Sequence, residues 1–200
     1  MENKYVDIVL KSPHPELYPD LVVRCRIIKR DEIGDYVANI SEKDKCVGFK
    51  SQPVEARVGK VGEQVTTTLL TTYEGRDYIM SETQNDVRET MMEDGSLQPD
   101  IVVTNVHSTS NEEYIVRANK FARMYMANVD GTFTPVPESR EVARLSENVV
   151  IETSWGELAV GLKGSYIVTY DAEEQSYNTI EKGAFDSTYT IEDSKRSISL

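Results

Sequence analysis

The stretch Lys163-Gly-Ser-Tyr-Ile-Val-Thr-Tyr170, followed by an acidic turn and by Tyr177-Asn-Thr-Ile-Glu-Lys-Gly-Ala-Phe-Asp-Ser-Thr-Tyr189, decides how this chain is read. β-branched and aromatic residues from Tyr166 to Tyr170 favour a strand, the charged residues after it a tight reversal, and Tyr177 to Ile180 a returning strand. Phe185 and Tyr189 stand four apart and so share one face of a helical turn.

The same landmarks occur twice. In the later passage Phe133 leads to Pro137, Arg140-Glu-Val-Ala-Arg144, a strand through Ile151-Glu-Thr153, a turn at Gly156, the Gly164 strand and Phe185 with Tyr189. In the earlier one Phe49 leads to Pro53, Glu55-Ala-Arg57, a Thr-rich strand from Val65 to Thr72, a turn at Gly75, the strand Asp100-Ile-Val-Val-Thr-Asn105 and Phe121 with Tyr125. Gly75 to Pro99 spans 24 positions where Gly156 to Gly164 spans 8, which leaves 16 extra residues in the earlier passage. An addition to one copy of a doubled unit is where an acquired function would sit.

The expected architecture is mainly β, of the α+β kind: two related small β-rich units with short helical turns and one inserted helix. Residues 1–45 form an N-terminal β segment, 46–127 the first repeat, 128–191 the second and 192–200 a polar tail. The inserted helix is expected near 84–95, capped at Asn85 or Asp86 and stopped at Gly95. Tyr5 to Leu10, Leu21 to Ile28 and Gly34 to Ile40 read as strands, and the prolines between Ser12 and Pro19 as a rigid loop.

With 34 acidic and 22 basic residues the net charge of -12 repels phosphate backbones, so general nucleic-acid binding is not expected. No run reaches the roughly 18 apolar residues of a membrane helix, and the first residues do not resemble a signal peptide, so a cytoplasmic location without membrane attachment is expected. Cys25 and Cys46, lacking a Cys-x-x-Cys pair, read as plain thiols, and no cofactor or metal is expected. Asp171, Glu173 and Glu174 lack the spacing of a calcium loop. His107 with Ser108 or Ser110 and a carboxylate is the one arrangement from which a hydrolase could be drawn, without a Gly-x-Ser-x-Gly elbow behind it.

Binding chemistry is better represented. Arg117, Lys120 and Arg123 recur every three residues around Phe121, with Tyr114 and Tyr125 nearby; cations hold a phosphate while an aromatic ring stacks on a base. A second basic group runs from Arg24 and Arg26 to Lys29 and Arg30. Trp155 and Tyr166 either line a pocket or pack across strands, and Met91-Met92 is either a contact surface or a buried face.

Gly164, Tyr166, Ile167 and Val168, the hairpin residues Thr153 and Gly156, the closing Phe185, Thr188 and Tyr189, and the opening run Phe49-Lys-Ser-Gln-Pro-Val54 together resemble a family of small, function-unknown proteins of bacteriophage and prophage genomes. Its pattern is aromatic-basic-x-x-Pro-Val, Thr-x-x-Gly, Pro-Gly-Asp-(Tyr or Trp)-Ile and Phe-x-x-Thr-Tyr. Lys163 and Ser165 depart from it, while Pro99 and Asp100 keep the residues lost there. The resemblance implies a phage-related origin, hence the cytoplasm of a host cell, and a β-rich domain; it carries no catalytic residue. The expected function is a non-enzymatic accessory protein that sequesters a small anionic, nucleotide-like signal of host defence. The alternatives are acidic protein–protein interaction with a host or virion protein, and the hydrolase using His107. A homo-oligomer is compatible with either binding role.

Overall fold

Strand-forming β-branched residues and turn glycines alternate at short intervals along this sequence, and the fold is correspondingly β-rich, with 49% strand and 14% helix. The computed structural model describes residues 4–108, 111–154, 156 and 158–192. Along the chain, β1 (Tyr5–Leu10) and β2 (Leu21–Ile28) precede α1 (Ile33–Ala38) and β3 (Lys45–Lys50). Next come β4 (Glu55–Val58), the ribbon β5 (Gln64–Tyr73) and β6 (Arg76–Asp86), the hairpin β7 (Glu89–Met91) and β8 (Leu97–Pro99), and β9 (Ile101–Thr104). Then follow β10 (Glu113–Val116), α2 (Ala118–Met124), β11 (Tyr125–Ala127), β12 (Phe133–Pro135), β13 (Arg140–Arg144), β14 (Val149–Glu152) and β15 (Leu158–Gly161). The last elements are β16 (Tyr166–Asp171), β17 (Ser176–Ile180), α3 (Lys182–Thr188) and β18 (Tyr189–Ile191).

The chain divides into two units. Among the described residues, the first comprises 4–9, Leu21–Phe49 and those from Glu138 onward; the second comprises Leu10–Asp20 and those from Lys50 to Pro137.

In the first unit a five-stranded sheet has the order β17-β16-β13-β3-β18. Successive residues of a strand face opposite ways, so Ala143 and Ile167 turn to one side and Val142 and Val168 to the other. The first side packs on a second sheet, β1-β2-β14-β15, through Leu145, Val149, Ile151 and Ile28, with Ile33 of α1 joining the cluster. The other side carries Phe185 of α3 together with Tyr166 and Tyr189.

In the second unit β10, β9 and β4 form one sheet, β11 pairs with β12, and a bridge from Val54 to Phe133 joins them into the order β10-β9-β4-β12-β11. Val103, Val54 and Tyr125 pack with Phe121 on the α2 side. Val102 and Ile115 face the other way and are covered by Val65 and Val87 from the base and end of the β5–β6 ribbon. Glu74 and Gly75, both at positive φ, make the two-residue turn that lets this ribbon twist without splaying.

The registers of the two units agree. Val103 lies opposite Tyr114 and Ala56, as Val168 lies opposite Asn178 and Val142. The Asn128 amide donates to the Thr132 carbonyl and the Glu192 amide to the Val47 carbonyl, each at 2.8 Å, at corresponding points of the last two strands. Within these two five-stranded arrangements, correspondence along the chain breaks at the strand that precedes β4 and β13. The strand that leads into β13 completes the sheet of β4, and the strand that leads into β4 completes the sheet of β13.

Two expectations are corrected. Residues 34–40 are not a strand: α1 presents Ile33, Tyr36 and Val37, spaced three and four apart, to the core, and Ile40 joins them just past its end. Nor do residues 84–95 form a helix. Val87 is buried at the ribbon end, Glu89 to Met91 then pair with Pro99 to Leu97, and Gly95 at φ +81 turns the hairpin while Asp94 accepts from the Ser96 amide at 2.9 Å.

Candidate functional site

α2 begins where Arg117 leaves the extended conformation; its carbonyl accepts from the Phe121 amide at 2.9 Å, and the helix ends where the Tyr125 amide donates to the Phe121 carbonyl. α3 is bounded in the same way by Glu181, Phe185 and Tyr189. Residues 117, 120 and 123 therefore correspond to Glu181, Ala184 and Ser187.

At these places the two helices carry opposite chemistry. Arg117, Lys120 and Arg123 are all exposed, and none of their side chains has an ion pair or hydrogen bond among the described residues. In α3, Glu181 instead caps the Ala184 amide at 3.0 Å, and Lys182 is neutralised by Asp186 one turn on. In a chain of net charge -12, three uncompensated cations within two turns form a local positive field.

Beneath α2, Tyr114 and Tyr125 are brought together, their hydroxyls 3.0 Å apart. The sequence did not single out their third partner, Lys50, whose ammonium donates to the Tyr114 hydroxyl at 2.6 Å. Burial pushes Lys50 down to about 8 against the opposing pull of Glu112. A legible signal existed: Lys50 is the basic residue of the opening run Phe49-Lys-Ser-Gln-Pro-Val54. Both tyrosines belong to the apolar cluster of Val54, Val103, Phe121 and Phe133, and Lys50 is bonded to it through the Tyr114 hydroxyl.

Tyr166 belongs to the other unit and is stacked on Phe185 with ring centroids 4.0 Å apart. Trp155 lies outside the described residues, as does Ser110. His107 is exposed in the turn after β9. The neighbouring Ser108 hydroxyl donates to the Asn105 carbonyl and accepts from the Glu112 amide, both at 2.9 Å, so its proton is committed to backbone rather than offered to a histidine base. No group of three or more metal-ligating side chains is found among the described residues. Cys25 is buried and pushed up to about 11, the inert form of a thiol.

The first unit has a cavity of about 410 Å³ lined in part by Lys4, Arg26, Glu32, Tyr36 and Glu147. Its cations are already matched: Arg26 pairs with Glu147 at 3.1 Å and covers the Tyr36 ring at 5.4 Å, and Lys4 lies 3.7 Å from Glu32. Burial first, and Glu147 second, push Tyr36 up to about 12. This cavity leaves no spare cation for an anion, whereas α2 leaves three.

The hairpin β7–β8 lies beside α2, with the Asn119 Nδ2 3.5 Å from the Met91 carbonyl oxygen. Met91 and Leu97 are directly opposed across it and are 66% and 56% exposed. No helix among the described residues is long and apolar enough to cross a membrane. Comparison of the chain with protein-family models, with characterised proteins and with solved structures finds no match.

Proposed function

We propose that this chain is a non-enzymatic binding protein of the phage-accessory kind, which captures an anionic partner on the solvent-facing side of α2. The observation that carries this reading is the set of three exposed cations, Arg117, Lys120 and Arg123, at places where α3 has Glu181, Ala184 and Ser187. A helix of the same length, ending in the same aromatic stack, forms without them, so the fold does not need them. Like charges on adjacent turns repel and cost a helix stability. Contact with a partner compensates that cost.

The common strand registers support an origin of both units by doubling of one module, after which one copy gained its cations and its extra hairpin. Two kinds of partner share the required chemistry: a nucleotide-like phosphate, as a signal of host defence would provide, and a carboxylate-rich surface of a host or virion protein. Exposure of all three cations favours the second, since a small ligand is ordinarily enclosed on most sides.

The test is calorimetric titration with a cyclic dinucleotide and, separately, with a glutamate oligomer, each at rising salt. Binding of either probe that weakens as salt rises is the expected result. Absence of binding by both at low salt, or binding indifferent to salt, overturns the proposal.

A further inference from the structure

The β7–β8 hairpin has no counterpart in the first unit, where β15 runs to β16 through a short turn. It places Met91 and Leu97 side by side on one face, since directly opposed residues of an antiparallel pair project together. Both are among the more exposed large apolar side chains of the protein, and Met124, at the end of α2, is exposed as well. The hairpin is fastened at its base, where Asp100, itself buried, accepts from the Thr90 hydroxyl and from the Arg88 amide, and its turn is closed where Asp94 accepts from Ser96. A hairpin held at its base and at its turn keeps its apolar pair presented to solvent.

Apolar residues fastened in the open beside unpaired arginines have the composition of an interface core, where methionine and arginine are enriched. The positive stripe excludes a partner of like charge and selects a negative one; the hairpin selects one that also brings apolar side chains. We infer that the partner on α2 is an acidic, amphipathic protein segment, whose carboxylates meet Arg117, Lys120 and Arg123 and whose apolar side chains cover Met91 and Leu97. This inference rests on α2 being the anion-binding surface, and it adds the hairpin as the element that separates a protein segment from a bare polyanion.

The experiment compares two fluorescent peptides of equal charge by anisotropy: a glutamate oligomer and an amphipathic peptide in which leucines recur at helical spacing among glutamates. The full chain is titrated with each, as is the variant Met91→Ser with Leu97→Ser. The wild type should prefer the amphipathic peptide by about tenfold or more, and the double variant should lose most of that preference, because burying two large apolar side chains is worth that much. Equal affinity of the wild type for both peptides, or an undiminished preference in the variant, overturns the role of the hairpin while leaving anion binding by α2 standing. Binding of neither peptide defeats this inference, and it defeats anion binding by α2 as well only where a cyclic dinucleotide also fails to bind. Solubility and an unchanged unfolding midpoint of the variant establish that any loss is not misfolding.

Discussion

Phe121 lies on Tyr125 with ring centroids 4.7 Å apart and planes 16° from parallel, and Phe185 lies on Tyr189 at 4.7 Å and 17°. The same four-residue spacing across a helix end produces the same stack in both units, because the next strand starts as the helix stops. The two phenylalanines differ in burial, Phe185 being enclosed and Phe121 only half-buried.

That difference has an energetic consequence. Phe185→Ala should cost about 3–5 kcal/mol, the range for an enclosed aromatic, and Phe121→Ala distinctly less. Equilibrium denaturation of the two variants measures both; equal costs would contradict the packing described for the helices.

Close approach at two glycines sets a second expectation. A Cβ on Gly161 would come within 2.4 Å of Leu145 Cδ1 and 2.9 Å of Thr179 Cγ2, and one on Gly59 within 2.7 Å of Val87 Cγ2 and 3.0 Å of the Asp100 carbonyl oxygen. Each glycine-to-alanine change should therefore destabilise by about 1–3 kcal/mol, the cost of overpacking a filled core. Gly62→Ala, where nothing lies within 4 Å but φ is +81, should be destabilising for backbone strain alone. Thermal unfolding of the three variants separates these causes, and an unchanged midpoint for Gly161→Ala would contradict the Leu145 contact.

Much of the strand layout was legible in the sequence because its signals are local. Ile167 and Val168 announce a strand, Gly75 and Gly156 their turns, and the spacing of Phe121 and Tyr125 their shared face. α1 was missed although Ile33, Tyr36, Val37 and Ile40 carry a helical period, because Tyr36, Ala38 and Ile40 also alternate as a strand would. The hairpin after Val87 was missed because Asn85 and Gly95 mark the ends of a helix as readily as the ends of a turn. The exchange of β3 and β12 was out of reach: Phe49 before Pro53 and Phe133 before Pro137 are alike locally, and only tertiary pairing assigns each strand to a sheet. At the site, the cations and tyrosines were visible by type and spacing. Exposure of the former and Lys50 beneath the latter depend on contacts far along the chain.

Lys50 gives a pH dependence of definite sign. Its folded-state value of about 8 lies below the ordinary 10.5, so folding disfavours the charged amine. The penalty is full below about 8 and fades as pH rises through 8 toward 10.5. Wild-type protein should gain stability relative to Lys50→Met between roughly pH 7 and pH 9.5. Urea midpoints at intervals across that window measure it, and curves that run parallel would contradict the desolvated amine beside Tyr114.

The most direct test gives α2 the residues found at the same places in α3: Arg117→Glu, Lys120→Ala and Arg123→Ser. Since α3 folds with Glu181, Ala184 and Ser187 there, the unfolding midpoint should stay near that of the wild type. Affinity for the glutamate oligomer at low salt should fall by about tenfold or more, the combined worth of three exposed ionic contacts. A folded triple variant that binds the oligomer as well as the wild type would contradict α2 as the surface that receives an anionic partner.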